Sequence, residues 1–182
     1  MTEPVVWCGI DPGLAKMGVA FLLNESGRWR PLHVETVTTK ASEPMHQRML
    51  RLHGAIVHQQ RTGYPLRVRY VVESQEAARV GARKRGESNF RADMVERVIG
   101  MIWELSLMCL YSAGDLIELD PVVARKHVGL PKRATKEQIA MMVRRIVPGL
   151  PEKMSEHASD AVELALGGER HARMTEMLKG AH

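Results

Sequence analysis

Residues 5–24, VVWCGIDPGLAKMGVAFLLN, constrain the chain more than any other stretch. The apolar, β-branched run VVWCGI (5–10) reads as a strand buried on both faces. Asp11-Pro12-Gly13 breaks it, and GVAFLL (18–23) returns as a second strand. The result is a hairpin that carries a carboxylate where its first strand leaves the core. An ionised acid in such a place is expensive unless something positive holds it.

The rest of the chain supplies a frame for that acid. WRPLHVETVTT (29–39) reads as a third strand, with Glu25-Ser26-Gly27 as the turn before it. The pattern then becomes helical over 43–60, where Met45, Met49, Leu52 and Ile56 fall on one face. RYVVES (69–74) is a strand that ends at Glu73. A basic segment leads into a long helix over 89–111, on which Phe90, Met94, Val98, Met101, Leu105 and Met108 step by three or four. DLIELD (115–120) is a fifth strand, ending at Asp120. Thr135 and Gln138 form a capping-box signature for a helix over 134–147. Ser155 caps a last helix over 156–166, with His157, Asp160, Ala161 and Leu164 on one face.

The order βββ-α-β-α-β-α-α predicts an α/β fold with a mixed five-stranded sheet and helices on both faces. With 182 residues and no repeat or dividing linker, the chain reads as one domain over 1–182, its core about 5–168 and a C-terminal helical tail over 169–182. A hydrophobic fraction of 45% excludes a disordered chain. Cys8 and Cys109 each sit in an apolar run, so they read as buried hydrophobes of a reducing compartment and not as zinc ligands. The N-terminus does not read as a signal peptide, and the most apolar window (98–111) is interrupted by Glu104 and too short to span a bilayer. A soluble cytoplasmic protein is expected. The formal net charge is +5, with basic clusters at 79–91 and 124–136, which suits a polyanionic partner.

Strands one and four are expected to be parallel neighbours, which puts Asp11 beside Glu73 at the carboxyl end of the sheet, where open α/β sheets bind ligands. Asp160 on the last helix is the third candidate for the cluster, with His157 one turn before it. Carboxylates gathered there cannot all stay ionised alone. A divalent metal such as Mg²⁺ resolves the conflict, and the histidine can ligate it or position a water. Two such ions about 3.5–4 Å apart would suit phosphodiester hydrolysis. Asp120 and Glu163 are the next carboxylates to test should one of the three fail.

In that order, GIDPGLAKMGVA, YVVESQEAA and HASDAVELALG resemble the active-site blocks of RuvC-type Holliday-junction resolvases. LDPVVARKHVGLPKRATKEQIAMMV is similar to the family's stretch joining a strand end, a Val-Gly turn, a basic loop and a helix start. The likeness runs from about residue 5 to 168. It implies an RNase H-like fold, a homodimer, and nicking of two strands of a four-way junction with Mg²⁺ or Mn²⁺. It also implies that Asp11, Glu73, His157 and Asp160 form the metal-binding catalytic set. Lys136 matches a family lysine near the scissile phosphate, and Arg125 or Lys126 matches another basic residue. Arg79, Arg83, Lys84, Arg85, Lys132 and Arg133 are expected to contact DNA through its phosphates.

The chain also departs from the family. Glu76 stands where bacterial members carry an aromatic wedge, so the wedge is absent or supplied elsewhere, with Phe90 a candidate. The 79–91 loop is longer and more basic than usual, as in phage-encoded relatives, which leaves sequence preference and a branch-migration partner open. The 89–111 helix has apolar surface for a dimer seam as well as for the core. Two other readings remain: an RNase H-like nuclease acting on flaps or other branched substrates, and a DNA-structure-binding protein with a degenerate site. Intact acids at all three positions argue against the latter.

Overall fold

The computed structural model describes residues 4–63, 67–74, 98, 100 and 116–180, with 60–63 as backbone only. Its strands are β1 (Val5–Asp11), β2 (Lys16–Glu25), β3 (Arg28–Thr38), β4 (Val68–Glu73) and β5 (Leu116–Leu119). They form one sheet in the order β3-β2-β1-β4-β5. β1 pairs antiparallel with β2, and β2 with β3, while β1, β4 and β5 run parallel. The expected mixed sheet is therefore present. The turn between β2 and β3 uses Ser26 and Gly27 at positive φ, and Asn24 Oδ1 accepts the Gly27 N–H at 2.8 Å.

The helices are α1 (Met45–Gly63), α2 (Pro121–His127), α3 (Lys136–Ile146) and α4 (Glu156–Lys179). Side chains alternate across each strand, and that parity builds two cores. Val6, Cys8 and Ile10 of β1 join Val68, Tyr70 and Val72 of β4 against Leu52 and Ile56 of α1. Trp7, Val71, Ala20, Leu22 and Leu119 face the other way, towards α2, α3 and α4. Helices thus cover both faces. Asp11 and Glu73 fall on the same parity as Trp7 and Val71, so both belong to the α4 side. The parallel register pairs Ile10 with Val72, and the next residues along are Asp11 and Glu73.

Two glycines let α4 lie directly on the sheet. A Cβ at Gly9 would stand 1.9 Å from the Ala161 carbonyl oxygen, and one at Gly18 would stand 1.9 Å from that of His157. Any side chain at these positions would push the first turns of α4 off β1 and β2. At the far end, Arg69 pairs with Glu176 at 3.1 Å and lies 5.4 Å from the Trp7 ring centre.

Two features differ from the expectations. The helix α2 was not expected: Asp120 caps it by accepting the N–H groups of Val122 at 2.7 Å and Val123 at 3.4 Å, and Pro121 takes its first turn. The last helix does not stop at 166: it continues unbroken to Lys179, so the stretch expected as a helical tail is the same helix as far as that residue. Gly167 and Gly168 do not end it. They serve close packing instead, since a Cβ would meet Ala124 at 2.8 Å and Val71 at 2.3 Å. The expected 89–111 helix lies outside the described residues apart from Val98 and Gly100, which are helical. Val98 is fully buried in the α1-side core. Cys8 is a buried free thiol, its pKa pushed well up by burial, whereas Cys109 lies outside the described residues. Among the described residues, no helix is long and apolar enough to cross a membrane.

Candidate active site

The site forms where β1 and β4 end beneath the first turns of α4. Ser155 caps α4, its Oγ accepting the Ala158 N–H at 3.1 Å and sharing a hydrogen bond with Thr36 Oγ1 on β3. Glu156, the first helical residue, pairs with Lys136 at the start of α3. His157 then comes down onto the sheet, its Nδ1 2.6 Å from Asp11 Oδ2. One turn further, Asp160 enters the same space.

Charge within the site is unbalanced. Burial pushes Glu73 up to about 8, and the neighbouring charge of Asp11, a hydrogen bond with Asp11 and the charge of Asp160 add to it, while Arg125 opposes. Burial likewise raises Asp160 to about 6, helped by Asp11 and opposed by Arg125, His157 and Lys136. The acids therefore feel one another strongly, and burial with mutual repulsion outweighs the positive charge of Arg125, His157 and Lys136. Among the described residues, no group of three or more His, Cys, Asp and Glu side chains is already placed to hold a metal ion. The donors are nonetheless hard carboxylate oxygens plus one imidazole, with mutual repulsion that a divalent cation relieves. That donor set suits Mg²⁺ or Mn²⁺.

Of the expected DNA-binding residues, Lys136 lies beside the cluster, and its charge acts on Asp160. Arg125, on α2, also acts on the acids, its charge reaching Glu73, Asp160 and Glu163. Lys126, Lys132 and Arg133 are exposed on α2 and the loop before α3. Arg79, Arg83, Lys84 and Arg85 lie outside the described residues, as do Glu76 and Phe90. Asp120 belongs to the α2 cap and not to the cluster.

A fourth acid, buried where the other three are only partly so, lies one turn after Asp160 on α4. Glu163 is 2% exposed, and its Oε1 lies 3.5 Å from Arg125 Nε. Burial pushes it up to about 8, with Arg125 pulling it back and Asp160 adding to the rise. One sequence signal marks it: a lone acid inside the apolar run AVELAL, three residues after Asp160. The position of Arg125 has no such signal, because α2 itself goes unread.

The crossover junction endodeoxyribonuclease RuvC of Thermus thermophilus is 30% identical over 175 residues, which covers 93% of this chain and 96% of that protein. The chain belongs to the RuvC family. The RuvC of Gluconobacter oxydans is 26% identical over 163 residues, covering 90% of this chain and 89% of the relative. The solved structure of T. thermophilus RuvC in complex with Holliday junction substrate superposes with a TM-score of 0.75 at 26% identity, covering 93% of this chain and 96% of that one. A second T. thermophilus RuvC structure gives 0.70 over the same shares. No family model matches the chain. The α/β architecture described above is thus the RNase H-like one of RuvC, and the acid cluster sits on its α4-covered face.

Proposed function

We propose that this protein is a crossover-junction endodeoxyribonuclease that resolves four-way DNA junctions by paired, metal-dependent phosphodiester hydrolysis. The observation that carries the reading is the convergence of Asp11, Glu73, His157 and Asp160 under α4 in a chain of the RuvC family. These four residues would hold Mg²⁺ or Mn²⁺, in a two-ion site. When bound, the metal supplies an activated water and stabilises charge on the phosphate oxygens.

The chain's own residues prepare that chemistry. Asp11 fixes the His157 ring through Nδ1, so with Nδ1–H donated to the carboxylate the lone pair sits on Nε2, free to ligate metal or to orient water. The Ser155 cap and its bond to Thr36 hold the start of α4 in place, so His157 and Asp160 keep their station over the sheet. Lys136, whose charge acts on Asp160, and the exposed Lys132 and Arg133 would take DNA phosphates, and such contacts position a substrate without reading its sequence. The chain is proposed to act as a single nuclease domain in the bacterial or phage-infected cytoplasm. Two copies related by a two-fold axis, with the 89–111 helix as the seam, would present two sites to two symmetric strands.

The test uses purified protein with Mg²⁺ or Mn²⁺ on labelled four-way junction, flap and linear duplex. Symmetric paired nicks confined to the junction are expected. Equal cutting of flaps would replace this reading with a broader branched-DNA nuclease, and tight binding without cutting in either metal would replace it with a structure-binding protein. Asp11→Asn and Asp160→Asn are each expected to abolish cleavage while keeping junction binding, because the carboxylates serve metal and not phosphate.

A further inference from the structure

Two charged groups stand close to the cluster outside the proposed metal-binding set: Arg125 and Glu163. Their meeting is built into the fold. Asp120 and Pro121 set where α2 starts, and Gly167 lets α2 approach α4 so closely that a Cβ there would stand 2.8 Å from the Ala124 backbone. Arg125 follows Ala124, and Glu163 lies one turn before Gly167, so this contact brings the guanidinium to the carboxyl.

The Arg125 charge is felt by Glu73, Asp160 and Glu163 alike. Yet among the described residues its one ion pair is with Glu163, at 3.5 Å. Arg125 Nε and Glu163 Oε1 are both buried, and among the described residues neither makes a hydrogen bond, so what joins them is charge at ion-pair distance. A guanidinium left loose at this place would take the nearest carboxylate in a two-pronged grip. The other acids its charge reaches, Glu73 and Asp160, are ones that must offer their lone pairs to metal.

We infer that Glu163 is a positioning residue that draws Arg125 one helical turn back from Asp160 and so keeps the catalytic carboxylates open to divalent metal. The inference rests on the nuclease reading of the site. It gives Glu163 a role towards metal without making it a ligand. Arg125 remains close enough to offset repulsion among the acids but does not occupy their oxygens.

The test is Mn²⁺ alone, titrated into metal-free full-length protein by calorimetry, with thermal melting to verify folding. Glu163→Gln is expected to weaken Mn²⁺ binding about tenfold, a size usual when a group supporting a metal ligand is lost. Glu163→Gln combined with Arg125→Gln is expected to restore wild-type binding, because the competing cation is gone. A merely structural Glu163 would lower the melting temperature and leave Mn²⁺ affinity alone, which overturns the inference. Weak binding that the double variant fails to restore also overturns it, since Glu163 would then be a ligand itself. Should Glu163→Gln not fold, Arg125→Gln alone decides: Mn²⁺ affinity equal to or above wild type supports the inference, and loss of affinity overturns it. Wild-type protein whose Mn²⁺ binding is indifferent to Asp160→Asn would instead overturn the active-site reading and the inference with it.

Discussion

Glu73 and Asp160 hold their protons more tightly than free carboxylic acids, because burial and neighbouring negative charge both disfavour ionisation. The folded chain therefore binds more protons than the unfolded one between the ordinary carboxyl range and the raised values. Stability falls with rising pH wherever the folded state binds the more protons. In metal-free protein this loss spans about 4 to 6 for Asp160 and about 4.5 to 8 for Glu73 and Glu163. Melting temperature in chelator is expected to be lower near about pH 8.5 than near about pH 5.5, and Mn²⁺ is expected to stabilise more at the higher pH. A metal-free melting temperature that rises over this interval would contradict the charge imbalance. At this scale Asp11 and Glu73 are legible in the sequence as neighbours, because each ends an apolar run whose parity can be counted. Glu163 is legible only as an odd acid in an apolar helix; its partner depends on a helix contact that no local pattern reveals.

At the scale of elements, α2 is the instructive case. It has seven residues and only one fully buried side chain, Ala124, so it has no periodic stripe to read. Its signal is instead at its start, where Asp120-Pro121 supplies a cap and a first-turn proline. The same acid resembles the strand-terminal carboxylates Asp11 and Glu73 in sequence, and only its hydrogen bonds to Val122 and Val123 distinguish it. Asp120→Ala is expected to cost about 1 kcal/mol of stability by loss of the cap. Junction cleavage at a temperature where the variant is folded is expected to remain, and complete loss would put Asp120 in the catalytic set. The α3 and α4 starts, by contrast, are legible in full: the Thr135–Gln138 capping box and the Ser155 cap are both present. Where α4 ends is not, because Gly167 and Gly168 look like a stop signal and instead admit Ala124 and Val71.

For the whole molecule, hydrophobic period carried the strand order, since three runs joined by turns and two apolar runs behind helices leave few right-handed arrangements. The net charge of +5 belongs to this scale too. Junction affinity is expected to fall steeply with salt, because each neutralised phosphate releases counterions. Replacing Lys132 and Arg133 together with alanine is expected to flatten the log–log salt slope by about 2 while leaving the positions of the nicks unchanged. An unchanged slope would remove both residues from the DNA-facing surface. The α4 rod has 24 residues, a length of roughly 36 Å at 1.5 Å per residue. Its two ends do different jobs, one set among the acids and the other clamped by Arg69 near Glu176. A dye coupled near Lys179 would therefore ride on the same rigid element as His157 and Asp160 while standing roughly 3 nm from the acids. That gives a handle for watching the protein engage a junction without obstructing the cut.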